Sequence, residues 1–383
     1  MASRSRRVKI GIILVVVLYT IYLFVVSFSL PRANHRTEFN SSKLQLQREL
    51  EQNSDWSKLG LNFQPSKISQ LPTDSTVRQQ LSYQFPYQPE KPFPKNIWQT
   101  WKIPLEDPKF PHDYRSYQGT WDTDNPDYKH YIIADNVCEE LIQQLYSTIP
   151  DVAKAYRIMP KSILKADFFR YLILYARGGV YSDIDTVSLK PIDTWASLQD
   201  TYNEKPLNAG LVVGIEADPD RPDWADWYAR RIQFCQWTIQ AKRGHPMLRE
   251  LIAKITDITL TRDRKGQLKK ILGKDQGGDI MNWTGPAIFT DSIFEYLNNI
   301  LGSAYDNTNN AKNKNSKSQI VDWKLFTGMQ SPIAIDDVLI LPITSFSPDV
   351  DQMGAQSHEH PMAYAKHMFS GSWKKDSANK PEK

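Results

Sequence analysis

Near the middle of the chain a helix, a glycine pair and a strand follow one another without a connecting loop, and this succession restricts the fold most. Ser162 to Ala176 is rich in Leu, Ala and Phe, which predicts a helix. Gly178-Gly179 predicts the end of that helix. The apolar, β-branched run Val180 to Val187 then predicts a strand.

Similar patterns recur along the rest of the chain from about residue 93. Further strands are predicted at 94–101, 128–133 and 211–215, and further helices at 139–146, 223–240, 246–256 and 286–300. The polar segment 306–318 is predicted to be a loop. Strands that alternate with helices predict an α/β layered fold. The sequence shows no internal repeat.

Two carboxylates lie within the predicted strand from Val180 to Val187. Asp183 and Asp185 are two residues apart, so in a strand both side chains point to the same face. Two acids in this position repel unless a cation lies between them, and oxygen ligands of this kind suit Mn²⁺ or Mg²⁺ beside a diphosphate. A short Asp-x-Asp also fits a solvated pair at a strand end. Asp167 and Arg170, spaced i, i+3 on the preceding helix, fit either an ion pair or contacts to a ligand.

The N-terminus carries a second strong pattern. Ile10 to Leu30 contains no charged residue, and a helix of this length spans about 31 Å, the thickness of a bilayer core. Four cations within residues 1–9 predict a cytosolic tail and a single-pass anchor, with the rest of the chain lumenal. A cleaved signal peptide is the alternative, but its apolar core is usually about 7–15 residues long. Without those four cations the chain has 43 basic and 43 acidic residues, which argues against a nucleic-acid-binding surface.

The remaining organisation follows from composition. Residues 31–92 are polar with clustered prolines, and this pattern predicts a lumenal stem. Residues 93–375 are predicted to form the catalytic domain, and residues 376–383 a polar tail. Sequons begin at Asn40 and Asn282, and the second is expected to be unoccupied because of its position. Cys138 and Cys235 either pair in an oxidising lumen or remain two buried thiols.

Several of these segments together resemble glycosyltransferase family 32. The resemblance is carried by ADFFRY at 166–171, LYARGGVYSDID at 174–185, PKNIWQTWK at 94–102, TGP at 284–286 and HMFSGSW at 367–373. Other members often have His at the position of Trp98. These segments extend over about 280 residues, and their combination is specific although no single one is.

The resemblance implies a GT-A fold, a Rossmann-like sheet that binds a nucleotide sugar beside a metal. By position, Asp183 and Asp185 are the catalytic metal-binding pair, with His367 as the third ligand of Mn²⁺ or Mg²⁺. The expected donor contacts are Trp101, which stacks on the nucleotide base, together with Asp167, Arg170 and Tyr181. The expected acceptor-side residues are Asp279, Thr284 and Gly285.

The resemblance further implies a Golgi type II membrane enzyme that transfers mannose from GDP-mannose, with retention, into an α-1,6 linkage on the N-glycan core of glycoproteins. No nucleophile is evident from the sequence, so transfer on the same face of the sugar, assisted by the donor phosphate, is the working hypothesis. The alternatives are a mannan-elongating subunit of a Golgi mannosyltransferase complex, a non-catalytic scaffold of the same fold, and a toxin-like glucosyltransferase that acts on proteins.

Overall fold

A computed structural model gives the architecture of the C-terminal four-fifths of the chain. It describes residues 72–371 except 73, 200, 203–204, 270–275 and 309–320. Within these residues, no helix is long and apolar enough to cross a bilayer. The apolar run 10–30, the sequon at Asn40 and the polar tail 376–383 lie outside the described residues.

Helices and strands alternate along most of the described chain. The helices are α1 Val77–Gln84, α2 His112–Asp124, α3 Asp135–Leu145, α4 Pro150–Ile158, α5 Ser162–Arg177, α6 Pro246–Arg264, α7 Gln276–Trp283 and α8 Pro286–Thr308. The strands are β1 Asn96–Trp101, β2 Lys129–Ala134, β3 Gly179–Ser182, β4 Thr186–Ser188, β5 Thr201–Tyr202, β6 Lys205–Pro206, β7 Leu211–Ala217, β8 Gln233–Ala241, β9 Ile333–Ile335, β10 Val338–Leu341 and β11 Ala365–His367. The mixed α/β class predicted from the sequence is confirmed.

A seven-stranded sheet forms the centre of the fold. Its strand order is β2-β1-β3-β8-β7-β10-β9, and β8 and β9 run antiparallel to their neighbours. The strands β2, β1, β3, β7 and β10 are therefore mutually parallel and end at the same edge. In α/β sheets the ligand crevice lies at this carboxyl edge. A two-stranded ribbon of β4 and β11 follows β3 directly.

Helix α5 connects the core to this edge. Every residue from Asp167 to Ala176 is buried, so the helix is enclosed on all sides rather than amphipathic. It ends where Gly178 adopts φ +66° and donates its N–H to Leu174 O. Gly179 follows with φ +103°, and a Cβ there would lie 2.5 Å from Asn96 O. Only glycine allows α5 to enter a strand paired this closely with β1.

The helix predicted at 223–240 is wrong. Its second half is strand β8, preceded by a single 3₁₀ turn at Trp224–Asp226. Because β8 lies between β3 and β7 and is buried on both faces, it lacks the alternation that marks a half-exposed strand. The helices predicted at 139–146, 246–256 and 286–300 are confirmed, and the last two extend further than predicted. Cys138 and Cys235 are free and buried.

The end of the segment assigned to the stem packs on the folded body. Leu81 of α1 and Phe85 after it are fully buried. Arg78 pairs with Glu250 of α6, and the Tyr87 hydroxyl donates to Asp337 at 2.7 Å. The folded unit therefore includes α1 and does not begin at residue 93.

A truncation series tests this boundary. A fragment that starts at residue 93 is expected to unfold at a midpoint roughly 5 °C or more below a fragment that starts at residue 74. The loss of two buried side chains, Leu81 and Phe85, removes about 3–6 kcal/mol of apolar burial. Thermal unfolding followed by circular dichroism measures the difference. Equal midpoints would show that α1 contributes nothing to the stability of the body.

Candidate active site

Three potential metal ligands converge at the carboxyl edge of the sheet. One ligand atom from each of Asp183, Asp185 and His367 lies within 4.8 Å of the other two. His367 Nε2 is 3.2 Å from Asp185 Oδ1. His367 ends β11, which pairs with β4, so residues 182 positions apart in the chain are brought together by one short ribbon.

The sequence analysis predicted that the two carboxylates lie in a strand, and this prediction is wrong. Strand β3 ends at Ser182, and residues 183–185 form a turn before β4. Asp183 N still donates to Trp237 O of β8 at 2.8 Å, while Thr186 Oγ1 donates to Asp183 O at 2.6 Å and closes the turn. The carboxylates converge because the turn folds them together. Strand alternation is not the cause.

The loop after β11 holds Asp185 in place. Ser370 donates to Asp185 Oδ2 from its backbone N at 3.1 Å and from its hydroxyl at 2.6 Å, and Met368 N donates to Asp185 O. Burial alone raises the pKa of Asp185, but the hydrogen bonds from His367 and Ser370 outweigh it and lower this pKa to about 2. The side chain is therefore a carboxylate at any physiological pH.

A buried ion pair lies behind Asp183. The Arg170 guanidinium is 2.8 Å from Asp167 Oδ1 and 3.4 Å from Asp183 Oδ1, and it donates to Gln236 O at 3.0 Å. Asp167 also accepts from Thr284 Oγ1 at 3.0 Å and from Gln236 Nε2 at 3.3 Å. Both side chains of the Asp167–Arg170 pair are less than 5% exposed. The pair is both an intrahelical ion pair and a neighbour of the predicted metal site.

Burial sets the charges of this network. It raises the pKa of Asp167 to about 6, against the lowering effect of Arg170, so the carboxyl is still mostly ionised at pH 7. It also raises the pKa of Asp183, and Asp185 adds to that shift while Arg170 opposes it. For Arg170 burial favours the neutral form, but Asp183, Tyr181 and Asp167 together raise its pKa above the ordinary value. Arg170 is thus a permanent cation beside the triad.

The triad fits a divalent cation of the Mn²⁺ or Mg²⁺ class. Ligand atoms about 2.1 Å from one octahedral ion lie about 3–4 Å apart, close to the separations found here. Asp183 and Asp185 supply oxygen ligands, and His367 supplies nitrogen. His367 Nδ1 accepts from Phe369 N at 3.0 Å, so the ring proton resides on Nε2, which faces Asp185. Coordination of a metal through Nε2 requires the ring proton to move from Nε2 to Nδ1. Nδ1 can then no longer accept the hydrogen bond from Phe369 N, so this N–H must turn away.

A cleft of about 360 Å³ opens at the same edge of the sheet, over the ends of β1 and β2. Thr100 lines it from β1, Asp135 and Asn136 from the start of α3, and Ser162 from the start of α5. Neither helix has a side-chain N-cap hydrogen bond.

The predicted donor contacts do not line this cleft, but Tyr181 reaches the lining residue Thr100. Trp101 ends β1, is half-buried and meets the Tyr114 ring edge-on at 4.7 Å. Tyr181 is buried, with its ring 5.1 Å from the Arg170 guanidinium and its hydroxyl 3.4 Å from Thr100 Oγ1. Tyr181 therefore connects the cleft to the ion pair behind the triad.

The predicted acceptor-side residues have structural partners. Thr284 is fully buried; its hydroxyl bonds Asp167, and its carbonyl accepts from Tyr171 at 3.0 Å. A Cβ at Gly285 would lie 2.7 Å from Met281 Cα. Asp279 makes an ion pair with Arg262 of α6. The acceptor-side role of Asp279, Thr284 and Gly285 stays a prediction, and the structure assigns the Thr284 hydroxyl to the support of Asp167.

Three residues of the site were missed by the sequence analysis. Ser370 lies within a quoted motif, but nothing in the motif indicates that it bonds Asp185. Gln236 fell in the segment wrongly predicted to be helical. Glu216 is the one charged residue in the apolar strand β7, and this break in an apolar run was a usable signal.

Comparison with known proteins identifies the family. Residues 111–202 match the family described as "Glycosyltransferase sugar-binding region containing DXD motif". The chain is 69% identical to the initiation-specific alpha-1,6-mannosyltransferase of Candida albicans, over 97% of this chain and 95% of that relative. This chain belongs to the family of initiation-specific α-1,6-mannosyltransferases. The resemblance to glycosyltransferase family 32 is thereby confirmed, and the protein is a glycosyltransferase.

More distant members of the family match over most of their length. The Saccharomyces cerevisiae enzyme of the same name is 43% identical, over 78% of this chain and 82% of the relative. The Schizosaccharomyces pombe enzyme is 41% identical, over 83% and 74%. Among solved structures, the PaToxG glycosyltransferase aligns with a TM-score of 0.35 and 16% identity, over 61% of this chain and 79% of that chain. That likeness is too low to support an inference.

Proposed function

We propose that this protein transfers mannose from GDP-mannose to an N-glycan core on glycoproteins, forms an α-1,6 linkage with retention, and so initiates outer-chain mannan. The observation that carries the proposal is the 69% identity to an initiation-specific α-1,6-mannosyltransferase over nearly the whole of both chains. The proposal includes a GT-A catalytic domain, a Mn²⁺ or Mg²⁺ cofactor and a single-pass type II anchor in the Golgi membrane.

The order of features along the sheet edge supports this donor. The cleft lies over β2 and β1, and the triad lies beyond the end of β3, the next strand. The nucleoside lies at the ends of β1 and β2, where Trp101 stacks on its base. Asp183, Asp185 and His367 would then hold a divalent ion that offsets the charge of the diphosphate.

The protein's own residues prepare the site for departure of the diphosphate. A bound divalent ion withdraws negative charge from the leaving group. Ser370 fixes the orientation of Asp185, and Arg170 offsets the charge of Asp183. The Ser370–Asp185 hydrogen bonds and the Arg170–Asp183 contact are both present before the donor binds, which reduces the reorganisation that the reaction needs. Retention follows from transfer on the same face, with a donor phosphate oxygen taking the proton of the acceptor hydroxyl.

A donor and acceptor screen with the full-length protein tests the proposal. Guanosine and uridine diphosphate sugars are compared, each with Mn²⁺ or with EDTA, on a core N-glycan and on linear α-1,6-mannan. We expect transfer from GDP-mannose to the core glycan, loss of activity in EDTA, and a product sensitive to α-1,6-mannosidase. Preference for linear mannan would favour an elongating subunit, and no turnover of any donor would favour a scaffold.

Replacement of Trp101 by alanine is expected to weaken the affinity for GDP by about 5–150-fold, because stacking on a base contributes about 1–3 kcal/mol. Calorimetric titration of GDP with Mn²⁺ measures the effect, and Trp101→Phe should recover most of it. Trp227→Ala is the matched control, since Trp227 is 66% exposed on another loop. Equal GDP affinity in wild type and Trp101→Ala would remove Trp101 from the nucleotide site.

A further inference from the structure

A fourth carboxylate faces the predicted site from β7. Glu216 lies one residue before the end of that strand, and β7 is parallel to β3 with β8 between them. Registry through β8 puts Val213 of β7 level with Tyr181 of β3. Beyond Val213 the pairing of β7 with β8 is shifted by bulges, and Glu216 lies in this irregular end of β7, at the sheet edge where Asp183 follows β3. Two strand spacings, about 10 Å, separate the two strands.

The Gln233 side chain hydrogen-bonds the Glu216 carboxyl and lowers its pKa, but it does not satisfy both oxygens. Glu216 Oε2 is enclosed by protein and has no hydrogen-bond donor among the described residues. Gln233 is paired opposite Ala217 at the same end of the sheet, is 1% exposed, and likewise has its Oε1 without a donor in the described part of the chain. A structural carboxylate at such depth normally has donors on both oxygens, because an unsatisfied one costs about 1–3 kcal/mol.

Burial raises the pKa of Glu216 to about 7, and Gln233, His367 and Arg170 lower it while Asp167 adds to the rise. These influences show that the carboxyl senses both the triad and the ion pair behind it. Two unpartnered acceptor oxygens next to each other suit a ligand that brings hydroxyl donors, and a sugar is such a ligand.

The strand order indicates which part of the donor lies there. The proposed nucleoside position lies at the ends of β2 and β1 and the metal ligands follow β3, so the next strands along the edge, β8 and β7, underlie whatever is attached to the diphosphate. In a nucleotide sugar this is the transferred sugar. We propose that Glu216 is a further catalytic residue that contacts the transferred sugar and stabilises the positive charge that develops on its ring. The inference rests on the proposed function.

The chemistry balances without a bond to Glu216. The bond between the anomeric carbon and the phosphate oxygen breaks, and its electron pair leaves with the diphosphate. The acceptor oxygen forms the new bond to the same carbon, and its proton passes to a phosphate oxygen. While the ring is electron-deficient, Glu216 in its ionised form supplies negative charge, and Gln233 helps to position that carboxylate. A fixed charge directed at a developing charge is among the strongest contributions a site can make.

Glu216→Gln in the full-length protein tests the assignment, because it keeps the shape and removes the charge. We expect kcat for mannosyl transfer and for GDP-mannose hydrolysis to fall at least 100-fold, with KM for GDP-mannose, affinity for GDP with Mn²⁺, and the unfolding midpoint little changed. Glu216→Asp, which keeps the charge, should recover part of the rate. Glu140→Gln, on the exposed side of α3, is the matched control and should retain wild-type kcat.

Three outcomes would overturn the assignment. A kcat of Glu216→Gln within threefold of wild type would show that the charge does not act in the reaction. A raised KM with unchanged kcat would show binding only, and a lower unfolding midpoint with unchanged kcat would show a structural role. Failure of the proposed function is distinguishable, since wild type would then not use GDP-mannose; the donor sugar that the screen identifies is used for the same comparison.

Discussion

Replacing Asp183 or Asp185 with asparagine is expected to lower mannosyl transfer by about 100- to 1,000-fold. Each change removes one negative oxygen ligand, and loss of a single preorganised charge contact in an active site commonly costs about 3–4 kcal/mol. Binding of Mn²⁺, followed by electron paramagnetic resonance, should weaken in both variants. Because both residues lie in a turn at the edge of the sheet, the unfolding midpoint should fall by only a few degrees.

Asp223→Asn is the control for this pair. Asp223 is also an aspartate in an ion pair, to Arg221, but it lies in the loop between β7 and β8. The pKa of Asp223 is lowered to about 2 by Arg221, so the control removes a full charge as well. Activity in either site variant within tenfold of wild type would contradict the metal assignment, as would Mn²⁺ binding equal to that of the control.

Arg170→Met is expected to destabilise the protein by about 3–5 kcal/mol. The substitution leaves Asp167 as an unpaired charge in a site that excludes water, and the loss of one partner of a buried pair costs this much. The pKa of Asp167 should rise further above 6, so the loss of stability grows as the pH increases from about 6 through neutrality. Denaturant unfolding at several pH values measures both effects.

The double variant Asp167→Asn, Arg170→Met separates stability from catalysis. The asparagine amide oxygen can accept from Gln236 Nε2, and its NH₂ can donate to the Thr284 hydroxyl, so the double variant should recover at least half of the lost stability. Transfer should stay low, because Asp183 no longer has the Arg170 cation beside it. Arg230→Met, which breaks an exposed pair with Asp291, should cost under about 1 kcal/mol. Equal losses in Arg170→Met and Arg230→Met would contradict this account.

The candidate site was predicted unevenly from the sequence. The motif placed Asp183, Asp185 and His367 together by resemblance, and the structure brings their ligand atoms within 4.8 Å. The physical reason first given, alternation in a strand, was wrong because β3 ends one residue before the pair. Thr284 was assigned to the acceptor side, yet its buried hydroxyl bonds Asp167. Local pattern cannot show which side chains long-range contacts will bury.

The elements were predicted best where their signals are local. Helix α5 has strong helix formers and two glycines at its end, so both its type and its boundary were readable. Strand β8 was wrongly predicted to be helical. Its neighbours β3 and β7 come from distant segments, and β8 is buried on both faces. The packing of α1 on the folded body was missed for the same reason. The partner of Arg78 lies in α6, and the partner of Tyr87, which follows α1, lies just before β10.

The sequence by itself determined the α/β class, the enzyme family and the residues of the candidate metal triad, because these depend on local propensity and on contiguous motifs. The tertiary structure decided what those residues do for one another. It placed Ser370 on Asp185, buried the Asp167–Arg170 pair behind Asp183, and brought Glu216 to the same edge through the strand order β3-β8-β7. Such contacts join segments tens to hundreds of residues apart, and only the packing of the chain around its sheet fixes them.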